Sequence, residues 1–139
     1  MDQNEFKITF FGDPETLQQL VPILKNQYSV AAFTDPNKGL STLVDSPCHI
    51  LIIEVNGKAF DGYELKKKAR KIAASNSLIF VSRQKDINTV VACQRQGAQY
   101  LFFLPVKENE FKEAMAVLFK RRNYWFDLLH QVSGEKHNE

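Results

Sequence analysis

Two carboxylates and a hydroxyl stand at the ends of apolar runs. Asp13 follows residues 6–11 (FKITFF) after a single glycine, Gly12. Glu54 lies near the end of residues 49–55 (HILIIEV), and Ser82 follows residues 78–81 (LIFV). Carboxylate and carbonyl oxygens are ligands for hard cations, so Asp13, Glu54 and the Asn56 carbonyl offer a weak site for an ion such as magnesium. Each residue also has a plainer use. Asp13 precedes Pro14 and can cap a helix. Glu54 can be a solvated acid at a strand end. Ser82 can serve a turn.

Other site chemistries find little support. The stretch Phe11-Gly12-Asp13-Pro14-Glu15 is acidic and has one glycine, which argues against a phosphate-cradling loop and a small nucleotide-binding enzyme. The two cysteines, Cys48 and Cys93, lack metal-ligand or CxxC spacing and read as small buried hydrophobes in a reducing compartment. His49, His130 and His137 are scattered. The basic run at residues 66–71 is a solvated helix face beside Leu65, Ala69 and Ile72 rather than a nucleic-acid patch.

The elements that must position these residues alternate along the chain. Residues 6–11, 28–33, 49–55, 78–81 and 100–104 read as strands. The third is nearly continuous in apolar character, as a strand covered on both faces would be. Between them lie helices. The first starts at Asp13-Pro14-Glu15 and carries Leu17, Leu20, Val21 and Leu24 on one face. The second starts at Asp35-Pro36 with Leu40, Leu43 and Val44. The third follows Asp61-Gly62 with Leu65, Ala69, Ile72 and Ala73. The fourth holds Ile87, Val90, Val91 and Ala92 and ends near Gly97. The fifth opens with Phe111, Ala114, Met115 and Leu118. This alternation predicts an α/β domain with a doubly wound parallel sheet. Such sheets place their sites at the carboxyl ends of the strands, at Gly12, Asp13, Glu54, Ser82 and Leu104.

The chain of 139 residues fits one domain, with residues 1–122 as its body and residues 123–139 as a helical extension and polar tail. Hydrophobic residues make up 44% and charged residues 24%, so a folded core is expected. The net charge of +2 is too small to argue for nucleic acid or membrane. The start, MDQNEFK, lacks a basic segment followed by an apolar one, so no signal peptide is expected and the cytoplasm is the expected location.

The spacing around the third strand resembles the receiver domains of two-component response regulators. Leu51-Ile52-Ile53-Glu54-Val55-Asn56 followed by Phe60-Asp61-Gly62-Tyr63-Glu64-Leu65 matches the receiver pattern of apolar strand, phosphoaccepting Asp, short loop and Asp-Gly-hydrophobic-Glu-Leu. Gly97-Ala98 and Leu104-Pro105 match the family's Gly-Ala and Lys-Pro. The resemblance covers residues 5–122 and implies a flavodoxin-like (βα)5 fold. It also implies roles. Glu54 stands at the phosphoacceptor position and Ser82 at the switch hydroxyl. Gly12-Asp13 stands for a pair of acids, one of them lost to glycine. Leu104 replaces the lysine, and Leu101 stands at the switch-aromatic position.

Those departures matter chemically. Acyl phosphate formation needs an in-line carboxylate, a divalent cation and a positive charge on the phosphoryl oxygens. Glu54 moves the carboxylate by roughly 1 Å, and misplacement of that size can cost about 100-fold. The expectation is therefore a pseudo-receiver: not an enzyme, not phosphorylated, and working through a protein partner or a homodimer on the fourth and fifth helices and strand 5. A longer carboxylate at position 54 could also imitate the phosphorylated state. The competing expectation is a phosphoaccepting receiver of a longer response regulator.

Residues 123–132 add a further surface. Trp125, Leu128, Leu129 and Val132 recur at helical spacing, and a helix over residues 108–132 would reach on the order of 37 Å. An exposed apolar stripe with Trp marks an interface, unless the segment folds back on its own domain. Residues 133–139 are polar and expected to be disordered.

Overall fold

A run without polar alternation needs cover on both faces, and β3 (Ile50–Val55) is buried at all its positions. In the computed structural model its neighbours are β1 (Lys7–Phe11) and β4 (Ser77–Ser82), with β2 (Ser29–Phe33) and β5 (Tyr100–Phe103) at the edges. The sheet is parallel throughout, in the order β2-β1-β3-β4-β5. The structure describes residues 2–74 and 76–137, with residues 134–137 described by backbone alone. Among them, α1 (Pro14–Lys25), α2 (Pro36–Asp45), α3 (Gly62–Ile72), α4 (Ile87–Arg95) and α5 (Glu108–His137) alternate with the strands. This is the doubly wound (βα)5 architecture expected.

The pleat sends successive residues of β3 to opposite faces. Ile50 and Ile52 join Leu20 and Leu24 of α1 and Phe111, Met115 and Leu118 of α5. Leu51, Ile53 and Val55 join Leu43 of α2, Leu65 and Ala69 of α3 and Cys93 of α4. Glu54 therefore belongs to the face covered by α1 and α5, at its open end.

Helix starts are chemically marked. Asp35, Asp61 and Asp86 each accept a backbone N–H of the following helix's first turn. Arg70 in the basic run is structural: its guanidinium binds the Ala74 and Asn76 carbonyls and the Asn76 side chain, closing the turn into β4.

Three expectations need correction. Val44 and Ile72 are exposed rather than part of the buried stripes. On α4 the inward residues are Thr89 and Cys93, whereas Ile87, Val90 and Val91 face out, Ile87 being 78% exposed. The backbone does not end its helix at residue 133; α5 runs to His137, because no proline interrupts it. Asn138 and Glu139 lie outside the described residues. Among the described residues no helix is long and apolar enough to cross a membrane.

Candidate functional site

Adjacent β1, β3 and β4 bring Asp13, Glu54 and Ser82 to one end of the sheet, and all three side chains are buried there. Glu54 is 1% exposed. Its Oε1 accepts the Asp13 backbone N–H at 2.9 Å.

The Asp13 side chain does not cap α1, although the residue occupies the cap position with extended backbone. It turns to the loop after β3 instead. Oδ1 and Oδ2 accept the Lys58 N–H at 3.1 and 2.9 Å, and Oδ1 accepts the Ala59 N–H at 2.9 Å. The loop comes close because residue 57 is glycine: a Cβ there would lie 2.9 Å from Asp13 Oδ2. Pro14, with φ already helical, starts α1 without help from the Asp13 carboxylate.

Asn56 commits its side-chain amide rather than only its carbonyl. With φ at +61° it holds the left-handed conformation, which Asn tolerates better than most residues. Its Nδ2 donates to Ser82 Oγ at 3.2 Å and to Thr89 Oγ1 at 3.1 Å. Ser82 Oγ also accepts the Gln84 N–H at 3.0 Å and donates to the Gln84 carbonyl at 3.2 Å. One donor and two lone pairs are then all used, so the Ser82 hydroxyl is saturated by the protein itself.

The residue that sequence reasoning missed is Arg83, immediately after β4. Its Nη1 pairs with Glu15 Oε2 at 3.0 Å, its Nη2 donates to Thr16 Oγ1 at 3.1 Å, and its Nε stands 3.9 Å from Glu54 Oε2. Glu54 Oε2 is buried and makes no hydrogen bond among the described residues, so the Arg83 charge is its compensation. The sequence signal for it is a cation directly after the strand-end Ser82, with Glu15 and Thr16 too distant in the chain for local spacing to pair them with it.

Leu104 lies just past β5, half-buried. Its N–H donates to the Ser82 carbonyl at 2.8 Å while its side chain packs against the α1/α5 cluster. Leu101 packs on the opposite side, in the cluster of Phe80, Tyr63 and Cys93; Tyr100 and Phe102 face the α1/α5 cluster. The nearby aromatic hydroxyl comes from α3. Tyr63 meets Phe80 edge-on at 5.7 Å, and its OH lies 3.8 Å from Cys93 Sγ. Burial, then the Cys93 contact, push the Tyr63 phenol up to about 12. Trp125, Leu129 and Val132 are exposed, Leu128 is half-buried, and all four lie far along α5 from this pocket.

The mouth is a cavity of about 250 Å³ lined by Asp13, Pro14, Glu15, Lys58, Ala59 and Arg83. These donors do not fit a magnesium ion as arranged. Magnesium asks for near-octahedral oxygen ligands at about 2.0–2.1 Å. Asp13 Oδ1 accepts two backbone amides, and Asp13 Oδ2 and Glu54 Oε1 accept one each, which orients these oxygens toward the protein's own backbone. The remaining Glu54 oxygen faces a guanidinium, which would repel a dication.

No protein-family model matches the chain. Solved structures do resemble it. A CheY-like response regulator receiver domain protein from Methanospirillum hungatei superposes with a TM-score of 0.72 at 19% identity, over 85% of this chain and 97% of that one. A two-component response regulator from Clostridium difficile gives 0.76 at 15% identity, over 86% and 99%. The chemotaxis protein CheY4 of Vibrio cholerae gives 0.71 at 15% identity, over 81% and 97%. The chain thus has the receiver fold.

Proposed function

We propose that this chain is a receiver-type signalling module that works without phosphorylation, by binding protein. One observation carries the reading. The groups that would meet a phosphoryl–metal complex are engaged by the protein's own atoms, and Arg83 supplies from just after β4 the charge that Leu104 does not supply from just after β5. A phosphodonor would have to displace this network before it reached Glu54. The chain is then not an enzyme and has no resident cofactor. Two buried thiols suit a reducing cytoplasm.

The outward surface is apolar where a partner would dock. Ile87, Val90 and Val91 of α4 are exposed near edge strand β5, and the outer part of α5 carries Trp125 and Leu129. Thr89 ties α4 to the pocket through Asn56. This link gives the pocket a route to the α4 surface without any phosphate.

The second reading, a phosphoaccepting receiver of a longer protein, draws on the carboxylate of Glu54 and the hydroxyl of Ser82. Incubation with magnesium and acetyl phosphate, followed by intact-mass measurement, separates the two. The proposal expects the mass unchanged. A stable one-phosphate adduct on Glu54 or Ser82 would overturn it.

A further inference from the structure

α5 packs on the domain through one face and then leaves it. Phe111, Ala114, Met115 and Leu118 on that face are buried. At 3.6 residues per turn, Trp125, Phe126, Leu129 and Val132 continue the same face. All four are exposed, Trp125 at 60% and Leu129 at 69%. The core-facing stripe thus continues beyond the buried stretch of the helix and is left exposed there.

Beside the stripe lies a hollow. His49, just before β3, together with Arg122, Trp125, Phe126 and Leu129, encloses a groove of about 410 Å³. A space of that size admits a bulky side-chain group. Ridge and hollow therefore share one patch. A two-fold dimer requires this kind of surface, since each copy must present what it receives.

We propose that a second copy of this chain covers the stripe. Two α5 overhangs lie across one another about a two-fold axis, each seating apolar side chains against the other's His49 groove. The exposed area of the four large side chains is on the order of 400 Å² per copy, or about 800 Å² in the pair, and the groove walls add to this toward the roughly 1,000 Å² that a specific interface needs. The small net charge of +2 opposes such pairing little. This proposal rests on the protein-binding half of the functional reading and is indifferent to its phosphorylation half.

Sedimentation equilibrium of the whole chain over a micromolar series tests it. A monomer–dimer equilibrium is expected. Trp125→Glu with Leu129→Glu should raise the dissociation constant by roughly a hundredfold or more, with circular dichroism unchanged because both side chains are exposed. Cross-linking provides a second measurement that does not depend on that variant folding. Leu129→Cys adds an accessible thiol to a chain whose own cysteines are buried. It should form a disulfide-linked dimer under mild oxidant, whereas Val90→Cys on α4 should not. A monomer at every concentration, a dimer indifferent to the two glutamates, or cross-linking at Val90 instead of Leu129 overturns the proposal. The phosphodonor experiment reads a different quantity, so either claim can fail without the other.

Discussion

Arg83 reaches Glu54 from just past the neighbouring strand β4, its Nε 3.9 Å from an Oε2 that has no hydrogen bond among the described residues. The same guanidinium holds Glu15 and Thr16 at the start of α1. One side chain thus ties the ends of β3 and β4 to α1. The arrangement fixes the site by charge, and it needs no ligand to do so.

Arg83→Met should destabilise the fold by about 1–2 kcal/mol at neutral pH. Removing one partner of a buried pair can cost about 3–5 kcal/mol. The Arg83 side chain is 40% exposed and the contact is long, so solvent screens part of that. Urea denaturation measures the loss. Glu54→Gln should recover much of it in the Arg83→Met background, because the uncompensated charge is then gone. If the two changes are simply additive, the pair does not couple.

Gly12→Asp should destabilise the chain. A Cβ at residue 12 lies 3.3 Å from Glu54 Oε1, and the new carboxylate would face the old one. A cost of about 1–3 kcal/mol is expected from crowding and like charge. Adding Leu104→Lys should reduce that cost. Neither variant should take up phosphate from acetyl phosphate by intact mass while Arg83 remains.

The fold was legible because its signals are local. Asp35 and Asp61 announce helices within one turn, and β3 announces its burial by having no polar alternation. The site was legible only in part. The ends of β1, β3 and β4 could be found, but not how their side chains pair. Thr16 is 67 residues from Arg83, and no local pattern joins them. The phase of α4 was hidden for a related reason. The Asp86 carboxylate accepts the Thr89 N–H at 2.8 Å and the Thr89 hydroxyl oxygen accepts from Asn56 Nδ2, so polar bonds, not apolar content, turn Ile87 and Val90 outward.

Asn56 combines backbone and side-chain roles that two substitutions separate. Asn56→Gly keeps the φ of +61° available and loses the bonds to Ser82 and Thr89. Asn56→Ala loses both, and the left-handed conformation costs an L-residue roughly 1–2 kcal/mol more. Both should speed amide exchange at the start of α4, measured by hydrogen–deuterium exchange. Equal stability of the two variants would show that φ is not under constraint there.

His49 should make stability fall in mild acid. Burial, then the positive neighbours Arg122 and Lys7, hold its imidazole below the ordinary value of 6.5. The ring lies flat against Phe6 at 5.2 Å, and its Nδ1 accepts the Lys7 N–H at 2.9 Å, a bond that protonation at Nδ1 would end. The unfolded chain takes up the proton near the ordinary value, and the folded chain does so only at lower pH. Between those two points the unfolded state binds more protons, so stability drops as pH falls through that window and levels off below it. Denaturation midpoints from about pH 8 down to pH 5 should show the fall. His49→Gln should flatten this part of the profile, because its amide can still accept from the Lys7 N–H but does not titrate. A slope unchanged in His49→Gln would assign the acid sensitivity to other groups.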